Sequence, residues 1–108
     1  MDKITPEIIQ SMVREIVSHF RPLKVVLFGS WARGNAGAES DVDLLIVQTS
    51  EEPRYKRPGP IRKLLRKYLF AKDILVYTPE EINQWANVPQ AFITTVMSTG
   101  KVLYEKQA

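Results

Sequence analysis

With 108 residues, 44% hydrophobic content and a net charge of +3, the chain reads as a single globular domain, residues 1–108, with one core. Its composition excludes a membrane-spanning helix, because no apolar stretch is long enough, and the lack of cysteine excludes disulfides and thiolate metal centres. The first residues lack the basic start and apolar run of a secretory signal, so a reducing, cytoplasmic location is expected.

In chain order, Thr5, Pro6 and Glu7 carry the marks of a helix start: a hydroxyl cap, a proline at the first helical position and an acid in the first turn. Ile8, Ile9, Met12, Val13, Ile16, Val17 and Phe20 then recur at helical spacing and stop near Pro22. "LKVVLF", Leu23 to Phe28, is short, β-branched and bounded by Pro22 and Gly29, which predicts a buried strand. Ser30 to Arg33 reads as the first turn of a short helix closed by Gly34 and Gly37.

"DVDLLIV", Asp41 to Val47, is the second strand, and the polar, proline-containing segment after it predicts a loop. Ile61, Leu64, Leu65, Tyr68 and Leu69 form an apolar helical stripe with Arg62, Lys63, Arg66 and Lys67 opposite. "DILVY", Asp73 to Tyr77, is the third strand. Thr78 and Glu81 are spaced for a capping box, and a last helix from roughly Pro89 to Ser98 ends at Gly100 before a strand-like "KVLY". Strands and helices alternating around a small sheet define an α/β or α+β domain.

Two aspartates at the mouth of an apolar strand are costly unless something positive neutralises them. On a strand, Asp41 and Asp43 would project from one face, roughly 7 Å apart at about 3.3 Å per residue. Such a pair can hold two divalent cations together with substrate phosphates, and oxygen ligands favour Mg²⁺ or Mn²⁺ over zinc. Gly29 and Ser30 lie where a strand gives way to a helix, so close backbone approach, helix-start amides and a hydroxyl can bind phosphate.

A strand ending in Gly-Ser, a ten-residue connection, then Asp-x-Asp opening an apolar run resembles the DNA polymerase β-like nucleotidyltransferase superfamily. "GSWARG" with "SDVDLLIV" is similar to its minimal nucleotidyltransferase (MNT) family, and the resemblance runs from the first helix to "GKVLYE". It implies a small mixed sheet with helices packed on it, the three acids on one side of the sheet and the helices on the other. It implies a triphosphate held at Gly29 and Ser30, metals at Asp41 and Asp43, and a third carboxylate at Asp73 that completes the metal site and can take the acceptor's proton. Arg33 matches the family's "ARG" and is implied to contact phosphate or brace the loop; Trp31 has no assigned role. The implied reaction moves AMP from ATP to a hydroxyl and releases pyrophosphate. Members this short are commonly antitoxins that adenylylate a tyrosine of a HEPN-domain ribonuclease toxin, so the expected partner is also the substrate.

Blander readings stand beside these: a solvated strand end for Asp41 and Asp43, an ordinary turn for Gly29 and Ser30, and pairing of Asp73 with Lys72. Ser40 is expected to cap its turn, and His19 to sit at a helix end. Trp85 and Phe92 are expected in core or partner contacts rather than base stacking. Eight basic residues between Arg54 and Lys72, with no acid among them, read first as a solvated face, next as a surface for an acidic protein, and last as a nucleic-acid site. Two alternative functions remain: a non-catalytic module that masks a toxin, and a nucleotidyltransferase acting on a small molecule or RNA with a separate acceptor-binding subunit.

Overall fold

The computed structural model describes residues 3–37 and 40–107. Four strands, β1 (Lys24–Phe28), β2 (Val42–Val47), β3 (Lys72–Tyr77) and β4 (Lys101–Glu105), form one sheet in the order β3-β2-β1-β4. β1 runs antiparallel to β2 and β4, while β2 and β3 are parallel. The mixed sheet expected from the sequence is therefore present. Parallel neighbours cannot be joined by a tight hairpin. The connection here carries a short 3-10 turn, Arg54–Lys56, and helix α3, Pro58–Leu64.

Alternation along the strands supplies two apolar faces. Val25, Leu27, Leu44, Ile46, Ile74 and Val76 face helix α1 (Pro6–Phe20) and α3 in the larger cluster, with Ile9, Met12, Val13, Ile16 and Ile61. α1 begins as the sequence indicates, with the Ile8 amide donating to the Thr5 hydroxyl at 3.2 Å. Val26, Leu45 and Val47 face the other way, against Ile93 and Val96 of α5 (Phe92–Thr99). Helices thus cover both sides of the sheet, which corrects the expectation that the face bearing the acids would be left to them. A strand buried on both sides reads as an unbroken apolar run, as β2 does.

Three bounds of two helices also differ from expectation. α3 starts at Pro58, inside the expected loop, because proline at a first helical turn loses no hydrogen bond. It ends before Tyr68, and Leu69 is 71% exposed rather than part of the stripe. α5 starts at Phe92, after Pro89. Helix α4, Pro79–Trp85, opens with the predicted capping box between Thr78 and Glu81.

Arg57 belongs to the basic stretch but is not a surface charge. Its side chain is 9% exposed and forms a two-pronged bond to Glu81, at 2.7 and 3.2 Å, with a further bond to the Val76 carbonyl at 3.2 Å. The Arg57 hydrogen bond holds the Glu81 carboxyl below its ordinary pKa. That stabilisation is full above the unfolded carboxyl pKa and disappears as pH falls through the folded value. Arg57→Ala is expected to cost about 2 kcal/mol at neutral pH, since Glu81 can partly rehydrate. Urea denaturation at pH 7 and in acid checks this, and the difference between the two proteins should shrink in acid.

Candidate active site

Sheet register sets Phe28 of β1, Asp43 of β2 and Asp73 of β3 in one row across three strands. Register partners share a face, so the Asp43 and Asp73 side chains stand next to each other. Asp41 is exposed and lies one residue before β2 rather than within it. All three charges meet at Asp43. Burial pushes its carboxyl above the usual range, the Asp73 and Asp41 charges push it further, and Arg33 opposes them.

Gly29 closes the other side of this point. Its backbone has φ 74° and ψ −156°, and a Cβ added there would collide with the Asp43 carboxylate. The Gly29 carbonyl accepts from the amides of Ala32 at 3.1 Å and Arg33 at 3.2 Å, which starts helix α2, Ser30–Arg33. The first amides of a helix have no partner within it, so Ser30 and Trp31 present donors where the chain turns past Asp43.

Trp31, to which the sequence assigned no role, anchors this loop. Its Nε1 donates to the Ser40 carbonyl at 3.1 Å while its ring packs against the larger core cluster. It thereby ties down the backbone one residue before Asp41. A large indole within a short polar segment was the available signal. Ser40 caps its turn as expected, accepting from the Gly37 amide at 2.9 Å. Residues 38 and 39 of the ten-residue connection lie outside the described residues.

Asp73 is not paired with Lys72, because neighbouring strand residues face opposite ways. Lys72 instead donates to the carbonyls of Tyr68 at 2.5 Å and Phe70 at 3.2 Å. Among the described residues, the cation paired with Asp73 is Arg62 at 3.9 Å, with both side chains more than half exposed. A contact of that kind is weak and leaves the carboxylate accessible. His19 is structural, its Nδ1 meeting the Glu15 carbonyl at 3.0 Å. The basic stretch is partly spent internally, with Arg57 on Glu81 and Lys67 on Glu15.

Among the described residues, no three His, Cys, Asp or Glu side chains gather tightly enough to enclose a metal by themselves. Mg²⁺ commonly takes one or two carboxylates and completes its shell with water and substrate phosphate. The convergence of negative charge on Asp43, in a chain without cysteine, fits such a cation, and the amide-rich turn opposite fits the phosphate.

Residues 10–108 match the family described as polymerase beta, nucleotidyltransferase, and the chain belongs to that family. A "Putative protein adenylyltransferase" of Methanocaldococcus jannaschii is 35% identical over 98 residues, covering 89% of this chain and 94% of the relative. A second protein of that name and organism is 45% identical over 53 residues, which span 49% of this chain and only about half, 52%, of that relative. Among solved structures, a nucleotidyltransferase of Sulfolobus solfataricus, itself named by inference, has a TM-score of 0.58 at 28% identity. That match covers 72% of this chain and 70% of that one. A toxin-antitoxin structure with AMP-PNP has a TM-score of 0.61 at 18% identity over 91% of this chain and 74% of that one, a likeness of fold alone. The minimal nucleotidyltransferase resemblance and the fold class read from the motifs are both borne out.

Proposed function

We propose that this nucleotidyltransferase is a protein adenylyltransferase that moves AMP from ATP to a hydroxyl of a partner protein, a tyrosine of a HEPN-type toxin, and so serves as its antitoxin. The observation that carries the reading is the row in which Asp43 stands beside Asp73 and against the Gly29 backbone. The names of the M. jannaschii relatives support a protein acceptor, and the toxin-antitoxin likeness supports this kind of partner.

In this reading the amides of Ser30 and Trp31 and the Ser30 hydroxyl bind the β- and γ-phosphates. Arg33, which already acts on Asp43 through space, faces the same negative charge. The acceptor oxygen forms a bond to the α-phosphorus as the bond to the bridging oxygen breaks, and pyrophosphate leaves with the electron pair. Asp73, exposed and next to Asp43, takes the hydroxyl proton. Asp41, Asp43 and Asp73 would hold Mg²⁺ or Mn²⁺, which supplies neutralisation of the carboxylates and polarisation of the phosphoryl group. Positioning and charge compensation then account for most of the rate.

The test is incubation of the purified protein with ATP, Mg²⁺ and its neighbouring HEPN-type protein, followed by intact-mass measurement. The partner should gain AMP on a tyrosine, and Asp41→Asn should prevent the gain. An unmodified partner that is nevertheless neutralised would refute the enzymatic reading and favour masking.

A further inference from the structure

Trp85 and Phe92 are 45% and 54% exposed, so neither is a core residue. With Arg54, Tyr77, Ala91 and Ile93 they line an open cleft of about 290 Å³ between the end of β3 and the α4–α5 corner. Tyr77 is on the face that carries Asp43 and Asp73, since residues 73, 75 and 77 of β3 alternate to one side. Its ring lies 4.7 Å below the Arg54 guanidinium. The two aromatic walls are held together, because the Thr94 hydroxyl donates to the Trp85 carbonyl at 2.6 Å and ties α4 to α5.

The cleft is joined to the carboxylate row. Phe92 meets Phe28 edge to face, with ring centroids 5.8 Å apart. Phe28 is the register partner of Asp43, and such side chains lie within about 5 Å of one another. One aromatic side chain therefore separates the point where the α-phosphate would sit from the mouth of the cleft. Asp73 and Tyr77 stand four residues apart on β3, roughly 13 Å at about 3.3 Å per residue, a span that takes the ribose and the base together.

We infer that this cleft is the base subsite of the enzyme, in which a purine stacks on Phe92 and Trp85 with Arg54 at its edge. The inference rests on the nucleotide-transfer reading above. A purine fits this lining because it presents a broad π face to each ring and ring nitrogens to a side chain that only donates. The lining offers shape and stacking, so purines are favoured over pyrimidines by contact area.

Calorimetric titration of wild type, Phe92→Ala and Trp85→Ala with AMP-PNP and with inorganic tripolyphosphate, each with Mg²⁺, tests it. Each substitution should weaken AMP-PNP by about tenfold and leave tripolyphosphate unchanged. Unchanged AMP-PNP affinity in both variants would overturn the inference, and a raised KM for the protein acceptor alone would assign the cleft to that acceptor. Equal weakening of both ligands would also overturn it, by showing that the rings act on the phosphate site. If wild type binds tripolyphosphate but AMP-PNP no more tightly, the base subsite fails and the phosphate site stands; if it binds neither, both fail.

Discussion

Asp43→Asn should lower AMP transfer by about three orders of magnitude and, without divalent cation, raise the melting temperature. The two effects have one origin. In the folded chain Asp43 is half-buried beside Asp73 and near Asp41, so its carboxyl is pushed above its ordinary pKa, chiefly by desolvation. A carboxyl with a raised folded pKa binds more protons in the native state than in the unfolded one. Stability from this group is therefore greatest below the unfolded pKa, declines as pH rises towards the folded value, and stays reduced above it. Asparagine keeps the shape and removes the charge, so the cost at neutral pH disappears. Adding Mg²⁺ should stabilise wild type at pH 7 and leave the variant nearly unaffected. Thermal unfolding with and without the ion checks both statements.

Gly29→Ala should cost about 2 kcal/mol of stability and about a hundredfold in activity. Its φ of 74° is one that side chains other than glycine rarely adopt, and the added methyl would strike the Asp43 carboxylate. Either Asp43 rotates away or the turn shifts, and both separate the phosphate donors from the carboxylates. Gly34→Ala is the matched comparison: its φ is also positive, at 78°, but nothing lies within 4 Å of the new methyl. It should share the backbone cost and keep most of the activity. Urea denaturation and AMP transfer measured on both variants distinguish strain from collision.

Much of the candidate site is legible because its residues are local in sequence. Gly29, Ser30, Asp41 and Asp43 stand within one strand-turn-strand segment, where alternation and turn chemistry fix their neighbours. Helix starts at Thr5 and Thr78 were equally local, each set by a hydroxyl and the residues just after it. What the sequence hid depends on distant partners. Asp73 is reached only through the family resemblance, because the parallel pairing of β3 with β2 that puts it next to Asp43 follows from the crossover through α3. Arg57 looked like one more solvated cation until Glu81, in a different helix, closed on it. Phe92 and Trp85 have the composition of core residues, and only the way the α4–α5 corner packs over the sheet leaves their rings facing solvent.

Binding of Mg²⁺ with AMP-PNP to wild type and to Asp43→Asn, followed by calorimetry at pH 7, decides whether the carboxylate row is a metal-assisted phosphate site. Wild type should bind the pair together, with each ligand strengthening the other, and the variant should lose that coupling while still melting at least as high as wild type in metal-free buffer. Equal, coupled binding by both proteins would contradict it.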